Sequence, residues 1–240
     1  MLDIPRRGLS VAEEIVLRGW PRYVRPLLRE LIMRPQMREI LPGIHHWTGI
    51  HPRIRQPVSS YYVEEAQVLI DPLVPREGLE WFEHRPPQQV VLTNRHHYRQ
   101  SDRFVEAFDC IVRCSEPGLH EFEGGPDVEG FAFGEVLAPG VTAVEIGAIC
   151  PDEAALHIVV GDGLIAFADA LVRPGDGPLG FVPDFLMGND PKSVKAGLLD
   201  SLQGLLDLPF DSLLLAHGEP LVGGGKQALR EFVEARELRS

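Results

Sequence analysis

From Gly43 onward the chain is a succession of short apolar or alternating runs broken by turn residues, a pattern of strands with a few interleaved helices. Residues 44–48 and 58–63 predict two strands joined by a loop containing Pro and Gly. Residues 66–70 predict a third, ending at Asp71-Pro72. The apolar run Val90-Val91-Leu92 leads into Thr93-Asn94-Arg95-His96-His97-Tyr98-Arg99, and a helix is expected over 101–108 with Ser101 or Asp102 as its cap. Residues 154–160 and 164–168 flank Gly161-Asp162-Gly163, a hairpin signal. Helical spacing returns at 193–206. Residues 212–216 read as a buried strand ending at His217-Gly218, and 226–238 as an amphipathic helix with Leu229, Phe232 and Val233 inward. Strands with interleaved helices predict an α/β (α+β layered) domain.

Ahead of this, residues 1–40 are Arg-rich and punctuated by Pro21, Pro26 and Pro35. Val24, Leu27, Leu28, Leu31 and Ile32 fall at helical spacing, and Pro26 suits a first helical turn. The organisation read from the sequence is therefore an N-terminal helical extension, 1–40, followed by one domain, 41–240.

Charge narrows the partners. The net charge is −12, although eight Arg against five acids give the first 40 residues +3. An acidic chain disfavours a nucleic-acid backbone or an anionic membrane and is compatible with a small-molecule ligand. No apolar run approaches the ~20 residues of a membrane span. Asp3, Glu13 and Glu14 interrupt the N-terminus, which does not read as a secretory signal. Cys110, Cys114 and Cys150 lack a disulfide or zinc-knuckle spacing and are read as free thiols, so the expected location is cytoplasmic. The apolar face of the N-terminal helix and the aromatic-containing segment 181–190 suggest a homodimer.

Three apolar strands end in a residue able to ligate a metal: 90–92 leads to His96, 164–168 to Asp169, and 212–216 to His217. Strand ends of an α/β sheet share one crevice, so these side chains are candidates for a common site. Other candidates are weaker. Gly223-Gly224-Gly225-Lys226 lacks the first glycine and the Ser/Thr of a phosphate loop and reads as a turn. His45 and His46 alternate sides of a strand, so at most one reaches the site. His157 alternates with apolar neighbours and reads as packed; His84 and His120 read as exposed.

The order of these segments resembles the metallo-β-lactamase superfamily from about Ile44 to Val233. Val68-Leu69-Ile70-Asp71 resembles its strand-then-Asp segment, and Leu92-Thr93 runs into the place of its H-x-H-x-D-H motif. Cys150-Pro151-Asp152-Glu153-Ala154-Ala155-Leu156-His157 resembles the stretch at the third ligand histidine. Phe167-Ala168-Asp169 resembles the strand with the bridging aspartate, and Ala216-His217-Gly218-Glu219-Pro220 the closing His-Gly element. The resemblance implies a four-layer αββα sandwich with a metal site on one edge. It also implies that the site is degenerate. The motif register reads Asn94-x-His96-x-Tyr98-Arg99, and the third-histidine position falls on Ile149, so only His96, Asp169 and His217 match.

Three readings follow. In the first, His96, Asp169 and His217 hold one zinc or other divalent transition metal for hydrolysis, with His51, Cys150 or Asn94 completing the shell. In the second, the chain is a metal-free binding or scaffold protein, and an Arg99–Asp169 salt bridge replaces the second metal. In the third, His96, His97 or Tyr98 serves as an acid or base without metal. No catalytic residue is assigned, and the substrate is not specified.

Overall fold

The computed structural model describes residues 37–238. The helix expected within residues 24–32 lies outside the described residues. The last part of the 1–40 span is a strand, β1 (Met37–Leu41), at the edge of a sheet.

That sheet continues through β2 (Ile44–Ile50), β3 (Pro57–Val63), β4 (Val68–Ile70), β5 (Gln89–Val91), β6 (Ile111–Ser115) and β7 (Glu129–Phe131), in spatial order. Neighbours from β1 to β4 are antiparallel and from β4 to β7 parallel. The second sheet has the order β12 (Ser212–Leu215), β11 (Leu164–Phe167), β10 (Ala154–Ile158), β9 (Val141–Glu145), β8 (Val136–Ala138). Only its β11–β12 pair is parallel.

Side chains alternate between the faces of a strand, and that period of two builds the layers. Tyr61, Val63, Val68, Ile70 and Val91 from the first sheet meet Val141, Ala143, Leu156, Ile158, Ala166 and Leu214 from the second in a central core. The intervening residues face outward. Tyr62, Leu69, Val90 and Val112 pack with Phe82, Phe122 and Phe104 of α1 (Ser101–Phe108). Ala155, Ile165, Phe167, Leu213 and Leu215 pack under α2 (Pro191–Leu205) and α3 (Gly225–Glu237). The layers are therefore helix, sheet, sheet, helix, the expected αββα sandwich.

Local chemistry sets the helix starts. Asp190 caps α2 by accepting from the Ser193 N–H at 3.1 Å, and Pro191 occupies the first turn. The cap expected for α1 differs. Gln100 is the N-cap residue without a side-chain cap, and Ser101 Oγ instead donates to the Tyr98 carbonyl. At α3, Gly223 and Gly224 take φ of 77° and 69° to turn the chain into the helix. Lys226 Nζ donates to the Leu208 carbonyl at 2.7 Å, so this glycine run is a turn with a tethered lysine. His157 is buried with Nε2 2.8 Å from the Pro209 carbonyl, while His84 and His120 are exposed.

The two sheets are stitched together where β4, β5, β11 and β12 end. The Ala154 N–H donates to the Thr93 carbonyl at 2.8 Å, the Ser59 N–H to the Ala216 carbonyl at 2.9 Å, and Tyr61 Oη to the Leu215 carbonyl at 2.9 Å. This edge carries the candidate site. Among the described residues no helix is long and apolar enough to cross a membrane.

Candidate metal centre

Four strand ends deliver the polar residues. Asp71 follows β4 in the left-handed region (φ 47°) and is 1% exposed. Its carboxylate accepts the Thr93 N–H at 2.8 Å and the Thr93 hydroxyl, and its Oδ2 lies 2.8 Å from His97 Nδ1. Burial alone would raise its pKa. The neighbouring His97, the hydrogen bond to it, Arg99 and Thr93 outweigh burial and hold the carboxyl below its ordinary value.

After β5 the chain enters a 3-10 turn, Arg95–His97, capped by Asn94, whose Oδ1 accepts from the His96 N–H at 3.0 Å. A 3-10 turn has three residues per revolution, so residues 94 and 97 share a face. Asn94 Nδ2 donates to Asp169 Oδ2 at 2.9 Å, and His97 Nε2 lies 3.7 Å from Asp169 Oδ1. His217, following β12, places Nε2 3.0 Å from the same Oδ1. Ligand atoms of His97, Asp169 and His217 all lie within 4.8 Å of one another. Burial would raise the Asp169 carboxyl, but His97, His217 and Asn94 together drive it far below the ordinary carboxylate range.

This differs from the ligand set read from the sequence. Asp169 and His217 converge, and His97 joins them in place of His96, which is exposed. The H-x-H register pairs positions 94 and 96; in the 3-10 turn it is 94 and 97 that share a face. Tyr98 points into the outer core, its ring centroid 5.8 Å from that of Phe122. Ile149 packs with the residues under α2 and α3.

The expected Arg99–Asp169 salt bridge is not formed. Arg99 has a left-handed backbone (φ 50°), and its Nη1 donates to the carbonyls of Ser59 and Asp71, both at 2.6 Å. Those carbonyls capture the guanidinium. It remains a buried positive charge felt by both Asp71 and Asp169, and its Nε and Nη2 have no hydrogen-bond partner among the described residues.

His51, half-buried at the base of the β2–β3 loop, accepts at Nδ1 from the N–H groups of Arg53 and Ile54, at 3.2 and 3.4 Å. Burial, then Arg99, Arg53, His97 and His217, lower its pKa. It is outside the three-residue cluster, as is Cys150, whose thiol is pushed up by burial and by Glu153 and Asp152. All three cysteines are free. His46 sits on the inner side with Nε2 3.0 Å from Ser59 Oγ, while His45 engages Glu64 at 2.7 Å.

Two further acids were not singled out by the sequence. Asp152 Oδ2 accepts the Arg95 N–H at 2.8 Å, and its other oxygen pairs with the Arg95 guanidinium. Glu153 Oε1 accepts the N–H groups of Asp169 and Ala170 at 2.8 and 2.6 Å. Burial, with Asp169 adding negative potential, pushes the Glu153 carboxyl up to about 8. A buried Asp-Glu pair just before an apolar strand was the available signal.

The cluster suits a metal by its donor chemistry. With His97 Nδ1 engaged by Asp71, Nε2 is the nitrogen turned toward Asp169 Oδ1, 3.7 Å away. Ligands on one tetrahedral zinc stand about 3.3 Å apart. The two separations from Asp169 Oδ1, 3.0 and 3.7 Å, bracket that value, and all three ligand atoms lie within 4.8 Å of one another. Asp71 and Asn94 fix the orientation of two members, as carboxylate and amide partners do around metal-ligating side chains.

The fold is the metallo-β-lactamase fold. A metallo-β-lactamase from Cronobacter sakazakii, mutated in its HARLDQ motif, superposes with TM-score 0.58 at 14% identity, covering 86% of this chain and 97% of that one. A metallo-β-lactamase family protein from Thermus thermophilus gives 0.58 at 18% identity, covering 84% and 81%. A mutant flavo di-iron protein from Thermotoga maritima gives 0.57 at 17%, covering 83% and 62%. No protein-family model matches the sequence, and no curated protein matches it.

Proposed function

We propose that this chain is a hydrolase-like protein with one divalent transition metal, zinc or a similar ion, held by His97 Nε2, Asp169 and His217 Nε2. The observation that carries this reading is the convergence of His97 Nε2, Asp169 Oδ1 and His217 Nε2 on one point. Two imidazoles and a carboxylate are a common catalytic ligand set with one position open. A metal held by these three residues would lower the pKa of water at the open position and polarise a carbonyl or phosphoryl oxygen.

The chain's own residues hold this arrangement ready. Asp71 sets the tautomer and tilt of His97, Asn94 anchors the second oxygen of Asp169, and Arg99 supplies a fixed positive charge from below. The substrate class extends no further than a small molecule with a hydrolysable bond.

A second reading has its own support. The 3.0 Å His217–Asp169 contact and the Asn94–Asp169 hydrogen bond leave the aspartate well satisfied without a metal, as in a binding or scaffold protein. Calorimetric titration of chelator-treated protein with zinc separates the two. The metal reading expects saturable binding near one equivalent that His97→Ala removes. Absence of binding to the wild type favours the scaffold.

A further inference from the structure

Asp152 and Glu153 are consecutive acids at 1% and 0% exposure, just before β10, and neither belongs to the ligand cluster. They reach in different directions. Asp152 holds both the backbone N–H and the guanidinium of Arg95, the first residue of the turn that carries His97. Its own carbonyl accepts Ser115 Oγ at 2.7 Å, and a Cβ on Gly118 would lie 3.0 Å from its Cβ, so this segment has little room to move. Glu153 holds the backbone N–H groups of Asp169 and Ala170, where β11 ends. Between them, the Ala154 N–H donates to the Thr93 carbonyl at 2.8 Å. One short segment thus grips the first-sheet turn with one carboxyl and the second-sheet strand end with the next.

We propose that Asp152 and Glu153 form a clamp that sets the spacing between His97 and Asp169, making both acids positioning residues for the metal centre. This rests on the metal reading above. Ligand residues arrive from two sheets, and a shift of either sheet edge would change the His97–Asp169 separation. Glu153 fixes the Asp169 backbone as an acceptor. Its second oxygen is buried without a hydrogen-bond partner among the described residues, so an amide in its place keeps the Oε1 acceptor. The clamp therefore needs an acceptor at Oε1, not a carboxylate charge.

The test uses the full chain with Glu153→Gln, Glu153→Ala and Asp152→Ala, each checked for folding by circular dichroism. Cobalt(II) is the probe, and affinity is measured by competition with a chelator. Glu153→Gln should bind within about threefold of wild type, whereas Glu153→Ala and Asp152→Ala should lose about 10- to 100-fold, the range expected for outer-shell partners. Metal-free samples at one fixed pH provide a second readout. The imidazole 15N–1H resonances of His97 and His217 should move in Glu153→Ala and stay in place in Glu153→Gln.

If Glu153→Ala does not fold, Glu153→Asp, which retracts the acceptor by one methylene, should show the same loss. Unchanged affinity and unchanged imidazole resonances in Glu153→Ala overturn the clamp. So does an equal loss in Glu153→Gln, which would assign the effect to charge. Wild-type protein that binds no cobalt sinks the metal reading instead, and the metal-free imidazole spectra then decide the clamp alone.

Discussion

Asn94 and His97 reach the same carboxylate because the turn between them has three residues per revolution, and His96 is left exposed on its far side. That one feature of backbone geometry separates the observed cluster from the one read in the sequence. Arg99 shows the same sensitivity. Its charge is buried near Asp169, as expected, but Nη1 goes to two carbonyls rather than to the carboxylate. Arg99→Ala would leave those carbonyls without their donor and remove a positive charge near Asp71 and Asp169, so urea denaturation should show a loss of about 1–3 kcal/mol; a change within about 0.5 kcal/mol would contradict this role. Glu153 carries a pH signature. Its carboxyl is pushed from an ordinary 4.5 up to about 8. The folded chain keeps a proton that the unfolded chain releases across that interval, so Glu153 makes stability fall as pH rises from about 4.5 to about 8. Asp169, shifted downward, acts oppositely: its contribution is present above its ordinary carboxylate range and is lost as pH falls. In chelator-treated protein, Glu153→Gln should flatten the decline between about pH 5 and 8. A slope identical to wild type would count against the buried neutral acid.

Short runs bounded by turn residues were legible at the level of elements. Residues 58–63 and 154–160 read as strands on that ground, and the structure places strands there, buried on both faces. The 101–108, 193–206 and 226–238 helices were legible at a period of 3.6. Shorter pieces were not. β7 and β8 have three residues each, too few to establish a period, and β6 and β9 mix exposed with buried positions. The 3-10 turn at 95–97 has only an Asn cap as its signature, and that cap was read as a substituted ligand. The element that presents His217 depends on the glycine after it. Gly218 has φ 123°, and a Cβ there would lie 1.7 Å from the Arg173 carbonyl oxygen. The Arg173 N–H in turn donates to the His217 carbonyl at 2.9 Å. Gly218→Ala should therefore destabilise the chain by more than about 1 kcal/mol and displace His217. Thermal denaturation and zinc titration check the two effects. A variant as stable and as tightly metal-binding as wild type would show that this turn does not hold the ligand.

In the whole molecule, two sheets are locked at one edge, and the site lies where four strand ends of that edge meet. The αββα architecture follows from alternation in the strands, and the solved structures that share it range from lactamases to a flavo di-iron protein. Fold therefore constrains where chemistry takes place without naming the substrate. The surroundings of the candidate site are this chain's own: a buried Asp71 hydrogen-bonded to His97, Asn94 to Asp169, and an arginine tied to backbone carbonyls. The account stands on His97, Asp169 and His217 as the metal ligands. The direct test is the metal content of protein purified without chelator or nickel resin, measured by inductively coupled plasma mass spectrometry for wild type, His96→Ala and His97→Ala. The account predicts about one equivalent of zinc, iron or manganese in wild type and in His96→Ala, and none in His97→Ala. No metal in wild type even after incubation with excess zinc, or retention in His97→Ala with loss in His96→Ala, would contradict it.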